Sequence, residues 1–179
     1  GVAPPQMRRM TESQYRNTVA DIFSPDIAVV GRFEPDLRVG GLAAVGSTQT
    51  SISASGYEQY YAMAGRIAEQ VTGDDRWSAM MGCDAPARDQ FDENCARQIV
   101  SGFGEQLFRR EMVDSEVTIW VDSMRAAMDN VADFHEVTSL AIEAMLSSPD
   151  FLFIMDSLDA ASSPASPELS GHAIAARLS

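Results

Sequence analysis

The chain has 179 residues, enough for one domain or two very small ones, and 45% of them are hydrophobic, an ordinary fraction for a folded core. A formal net charge of −13 repels nucleic acid and anionic lipid and leaves basic partners as the ones it would attract. No run approaches the length of a membrane-spanning helix. Gly1-Val2-Ala3-Pro4-Pro5 is neither basic nor followed by a hydrophobic segment, so any export signal is expected to have been removed already.

Thr11-Glu12-Ser13-Gln14 has the form of a capping box, with Thr11 as N-cap and Gln14 three residues on. Met10 precedes it as a staple, and Tyr15, Val19, Ile22 and Phe23 share one helical face. Ser24-Pro25-Asp26 stops this first helix. Residues 26–54 read as a long ordered loop with room for one short strand, because Gly31, Pro35, Gly40, Gly41 and Gly46 interrupt its apolar residues. A loop of that length inside a compact domain is either pinned by a neighbour or functional.

Ser55-Gly56-Tyr57-Glu58 predicts the start of a second helix, whose apolar stripe is Tyr57, Tyr60, Tyr61, Ala64, Ile67, Ala68 and Val71. Gly73 suits the position just past its end, and a short turn around Trp77 to Met81 follows. Ala96, Ile99, Val100, Phe103 and Leu107 form a third stripe. Asp114 is the expected cap of a fourth helix carrying Val117, Trp120, Val121, Met124 and Met128. Asp133 is the expected cap of a fifth, with Val137, Leu140, Ala141, Ala144 and Met145 facing inward. Ser147-Ser148-Pro149 breaks it, and Phe151 to Met155 is read as an apolar turn or short helix. The fold class expected is all-α: an irregular bundle of about five amphipathic helices with a long ordered loop after the first.

Residues 160–167 have the composition of a linker, and Pro167 to Ser179 read as a helix that has only begun, with Ser170 as its cap. That last helix is expected to pack on residues outside the chain, which makes the chain the N-terminal part of something larger. The units expected are 1–73, a helical unit with the long loop; 74–157, a helical unit holding the cysteine loop; and 158–179, a linker and the start of a further domain.

The two cysteines are Cys83 and Cys95, separated by a mostly polar, acidic stretch containing Pro86. Three readings stand together: a structural disulfide in an oxidising compartment, two unrelated thiols, or a metal or redox pair. A bridge of this size would contribute about 3 kcal/mol in the chain-entropy model. The spacing is far from C-x-x-C, and no third soft ligand lies nearby.

Reactive constellations are sparse. His135 and His172 are isolated and read as surface histidines. No C-x-x-C-H, G-x-S-x-G or D-x-D-x-D-G pattern is present, so no catalytic, cofactor-binding or metal residue is assigned and no cofactor is expected. Asp74-Asp75 and Asp92-Glu93 read as solvated loop charges. Arg8, Arg9, Arg16 and Asp21 are placed to form an ion-pair network around the first helix, and Asn17 would bond to backbone if buried. Tyr60, Trp77 and Trp120 are read as core aromatics in preference to sugar-stacking surfaces.

Several segments resemble a known group. Arg8-Arg9-Met10-Thr11 through Tyr15, Asn17-Thr18-Val19 and Asp21-Ile22-Phe23 is similar to the R-R-L-T-x-x-E-Y-x-N-T-V-x-D-L-L opening of a domain of unknown function abundant in planctomycetes, myxobacteria and some proteobacteria. Cys95-Ala96-Arg97-Gln98-Ile99 through Leu107-Phe108-Arg109-Arg110, and Met145 to Phe153 with its S-P-x-F-L core, resemble a second such domain. Leu169 to Ser179 resembles the opening of a third. The sequence departs from the pattern at Glu111, at Ile154 and over Gly40 to Val45. The resemblance implies large exported proteins, often carrying c-type cytochrome or carbohydrate-binding modules, and it transfers no catalytic residue. Arg9, Tyr15, Asn17, Asp21, Arg109 and Arg110 are expected to serve the structure.

The function expected is therefore a non-catalytic scaffold or interaction region in the periplasm or outside the cell. The partners expected are the remaining C-terminal part of the protein, a partner subunit or a cytochrome. The alternative is a subunit of a periplasmic oxidoreductase or electron-transfer assembly whose redox centre lies elsewhere.

Overall fold

The computed structural model describes residues 7–35 and 51–155, together with the backbone of residues 38–39 and 42–43. Its elements run β1 (Met7–Arg9), α1 (Glu12–Ile22), β2 (Arg38–Val39), β3 (Leu42–Ala43), α2 (Ala54–Val71), α3 (Trp77–Met80), α4 (Glu93–Phe108), α5 (Asp114–Val131), α6 (Phe134–Leu146), α7 (Pro149–Leu152) and β4 (Phe153–Met155). Five of these are long amphipathic helices, and the fold is all-α.

Local chemistry explains most helix ends. Thr11 caps α1 in a reciprocal capping box: its hydroxyl accepts from the Gln14 N–H at 3.2 Å, and the Gln14 side chain accepts from the Thr11 N–H at 3.2 Å. α2 begins two residues earlier than the sequence suggests, because Ser53, not Ser55, accepts the Gly56 N–H at 3.0 Å. Gly73 follows the C-cap Thr72 but does not take a left-handed conformation. Asp114 does not cap α5; Val113 holds that position, and Asp114 is the first helical residue, paired with Arg97 at 3.3 Å. Arg109 and Ala132 end α4 and α5 in left-handed conformations, with φ of 56° and 51°.

The inward face of α6 differs from the expected one. Phe134, His135, Val137, Thr138, Ala141, Ile142, Met145 and Leu146 are buried, whereas Leu140 and Ala144 are exposed. The segment after α6 also differs: Ser148 caps the single turn α7, and Phe153–Met155 is a strand instead of a continued turn. β4 pairs antiparallel with β1, Arg9 opposite Phe153, and the Met10 N–H donates to the Leu152 carbonyl at 2.9 Å.

One hydrophobic core runs across the boundary expected at Gly73: Tyr15, Val19, Met63, Ile67, Leu107, Ile142, Met145 and Phe151 belong to a single cluster. Tyr15 is fully buried, with ring centroids 5.3 Å from Phe33, 5.9 Å from Tyr60 and 5.3 Å from Phe151. The described part of the loop after α1 is pinned from the helices. Gln70 bonds both backbone groups of Ala28 (2.8 and 3.0 Å), while Arg16 and Arg66 donate to the carbonyls of Val29 (2.8 Å) and Val30 (2.9 Å). Farther along, the loop contains two two-residue strands, β2 and β3, where one strand is expected. The linker at 160–167, His172 and the terminal segment lie outside the described residues.

Candidate functional site

α2 and α6 pack side by side, and the turn that leaves α2 lies beside the start of α6. The Thr72 hydroxyl closes α2 by donating to the Ala68 carbonyl at 2.9 Å. Asp133 opens α6 by accepting the N–H groups of His135 (2.9 Å) and Glu136 (3.2 Å). Between these ends lies an open cleft of about 400 Å³, lined by Glu69, Asp74, Arg88, Asp133, His135 and Glu136 together with Thr72, Gly73 and Ser139.

Arg88 spans the cleft. One guanidinium nitrogen donates to Asp74 at 2.5 Å and the other to Asp133 at 2.9 Å, while its carbonyl accepts from the Phe134 N–H at 2.6 Å. Burial alone would push the Asp133 carboxyl up. The Glu136 N–H and the Arg88 guanidinium outweigh it and hold that carboxyl below its ordinary range. Asp133, and more loosely the exposed Asp74, are thus partners of Arg88, and Asp92 and Glu93 are engaged too: Asp92 caps α4, and Glu93 pairs with Arg97 and Arg125. These are not simply solvated charges.

His135 is not a surface residue. It is 8% exposed, and its imidazole stacks flat on Trp77, with 3.9 Å between centroids and 11° between planes. Its Nδ1 lies 3.2 Å from an Asp74 oxygen, out of hydrogen-bonding alignment, and neither ring nitrogen has a hydrogen bond. A buried polar group without a partner costs about 1–3 kcal/mol, so this ring is the least satisfied polar group at the cleft. Trp77 in turn donates its indole N–H to the Cys83 carbonyl at 3.1 Å. Cys83 is bonded to Cys95, with Cα atoms 5.6 Å apart, and Cys95 lies in the first turn of α4. A continuous path therefore ties the cleft wall to the disulfide.

Sequence reasoning missed this cleft because its parts come from three separated segments: residues 69–74, Arg88 and residues 133–139. The one local signal was the Asp133 cap next to His135. The cleft presents fixed negative charge and hydrogen-bond acceptors. Among the described residues no group of three or more His, Cys, Asp or Glu side chains is placed to hold a metal ion.

The other singled-out residues lie elsewhere. Arg9, 5% exposed, pairs with Glu34 at 2.8 Å and donates to the Pro35 carbonyl at 3.1 Å. Arg109 donates to the carbonyls of Asp150 (2.8 Å), Phe151 (3.0 Å) and Phe153 (2.9 Å), and burial pulls its guanidinium down to about 10. Arg110 forks onto Glu116 at 2.8 and 2.7 Å and reaches Asp150 at 3.1 Å. Asn17 and Asp21 are exposed. The network proposed around α1 is divided: Arg16 pairs with Glu12 at 2.9 Å, Arg9 with Glu34, and Asp21 has no ion pair among the described residues. Tyr60 and Trp77 are each 2% exposed and Trp120 is half-buried; the exposed aromatics are Tyr57 and Tyr61.

Residues 8–73 match PSD3, a protein of unknown function (DUF1587), and residues 95–156 match PSD5, a protein of unknown function (DUF1595). The chain carries two consecutive domains of unknown function. The PSD3 segment supplies β1, α1 and α2, and the PSD5 segment supplies α4 to α7 and β4. The disulfide joins the intervening stretch to the first residue of the PSD5 match. No curated protein and no solved structure matches the chain.

Proposed function

We propose that this chain is a non-catalytic helical scaffold region of a larger exported protein, acting by packing against further parts of that protein or a partner subunit. The observation that carries this reading is the use of the motif arginines. Arg9 and Arg109 are directed at main-chain carbonyls and at Glu34, and Arg110 at Glu116 and Asp150, so their charge holds the fold together. The Cys83–Cys95 bond supports a periplasmic or extracellular location.

The chain has no lysine among its 13 basic residues, so cross-linking must address carboxylates. A dihydrazide cross-linker applied to the native cell envelope is expected to join exposed Asp or Glu residues of this chain to another polypeptide or to a later part of the same one. Cross-links confined to residues 7–155 would contradict the scaffold reading.

A second reading, a subunit of an electron-transfer assembly with its redox centre elsewhere, draws support from the net charge of −13, which would attract a basic carrier. A visible absorption spectrum of the purified native complex is its test: a chromophore supports it, and a colourless complex removes it.

A further inference from the structure

We infer that the groove between α2 and α6 docks a basic segment of a partner protein, with one arginine or lysine side chain of that partner entering the cleft beside His135. The inference rests on the interaction role proposed above and adds the chemistry of the partner.

Three independent features lead there. The first is uncompensated charge. Glu69, Asp74, Asp133 and Glu136 line the cleft against Arg88 alone, and Glu69 and Glu136 are exposed with no ion pair among the described residues. Farther along the groove Glu143 adds another carboxylate, and its proximity pushes the Tyr61 hydroxyl up from its ordinary value.

The second feature is His135. More than nine-tenths of it is buried, it lines the cleft, and neither ring nitrogen is hydrogen-bonded. A neutral imidazole offers one N–H donor and one acceptor nitrogen, and here neither nitrogen has a hydrogen-bond partner, Nδ1 lying 3.2 Å from the Asp74 carboxylate out of alignment. Asp74, whose side chain is 73% exposed, is the group that must shift for a donor to reach the ring. A guanidinium or ammonium group brings both the missing positive charge and several N–H donors.

The third feature decides between a protein segment and a bare cation. Tyr57, Tyr61 and Leu140 stand 45%, 49% and 41% exposed on the same two helices. Gly65, one turn from Tyr61, leaves the Glu143 carboxylate uncovered: a Cβ there would lie 3.3 Å from Glu143 Oε1. Apolar surface beside carboxylates fits a segment in which aliphatic and basic side chains alternate. A metal ion or a polyamine would leave that apolar surface unused.

Isothermal titration calorimetry of the whole chain with an amidated peptide of alternating arginine and leucine tests the inference, with the glutamate–leucine peptide as its counterpart. The arginine peptide is expected to bind and the glutamate peptide is not. Raising the salt from about 0.02 M to about 0.2 M is expected to weaken binding about tenfold. The double variant Glu69→Gln with Glu136→Gln is expected to weaken binding about tenfold, whereas Glu105→Gln with Asp122→Asn removes the same charge from exposed positions on α4 and α5 and is expected to change it less than about twofold. Tyr61→Ala is expected to weaken it as well. Equal weakening by the two double variants, which means general charge attraction, would overturn the inference. So would absence of binding, or calcium binding at the cleft without peptide binding. Cross-links from other faces of the chain would still support the scaffold reading in each of those cases.

Discussion

The backbone N–H of Met10 donates to the carbonyl of Leu152 at 2.9 Å, just beyond the last residue pair of the β1–β4 ladder. This bond joins the beginning of the PSD3 segment to the end of the PSD5 segment. Tyr15 and Phe151, 5.3 Å apart at their centroids, extend the junction into the core. Two sequence families thus share one hydrophobic interior, and the motif arginines bracket the seam: Arg9 from one side, Arg109 and Arg110 from the other.

Replacing Arg9 should show what that bracket is worth. Arg9→Met leaves the Glu34 carboxylate, 23% exposed, without its ion-pair partner. A loss of about 3 kcal/mol is expected in urea unfolding, because removing one member of a buried pair strands the other. The double variant with Glu34→Gln should recover part of it.

Two glycines of α4 should respond with opposite signs. A Cβ at Gly104 would lie 1.7 Å from the Met112 sulfur, whereas at Gly102 it would meet nothing within 4 Å. Gly104→Ala is expected to destabilise by about 1–3 kcal/mol through overpacking. Gly102→Ala is expected to stabilise by about 0.5–1 kcal/mol through helix propensity. Thermal melts of the two variants provide the check.

Acid should weaken the start of α6. The folded Asp133 carboxyl lies below its ordinary value of 3.8. Its contribution is therefore fully present above that value and is lost as pH falls through the lower folded one. Asp133→Ala should cost about 1 kcal/mol at neutral pH as a lost cap. It should also flatten the acid limb of a plot of melting temperature against pH.

Reducing the Cys83–Cys95 bond, which closes a sequence separation of 12, should lower stability by about 3 kcal/mol. The effect is expected as a drop in melting temperature on adding dithiothreitol, and Cys83→Ala should abolish the response.

The elements legible in the sequence were those set by neighbours along the chain. The Thr11–Gln14 box and the Asp133 cap each need only residues within one helical turn, so their signals are complete locally. Ser53 and Ser55 are both good caps, and only the approach of the Gly56 N–H to Ser53 separates them. On α6, Leu140 and Ala144 suit an inward stripe as well as Thr138 and Ile142 do. Thr138 escapes notice because it is polar, yet its hydroxyl is satisfied by the Phe134 carbonyl at 2.7 Å and can be buried. β4 was missed because its partner lies at the other end of the described chain. The cleft was missed for the same reason: the burial of His135 depends on Trp77, which no local pattern connects to it.

Native-state hydrogen exchange tests the shared interior most directly. If the PSD3 and PSD5 segments form one cooperative unit, the Met10 amide and the buried amides of α1, such as Val19, should exchange through the same global opening as Leu107 in α4 and Ile142 in α6. Exchange of the Met10 and Val19 amides at a distinctly lower opening free energy, with α4 and α6 still protected, would contradict it.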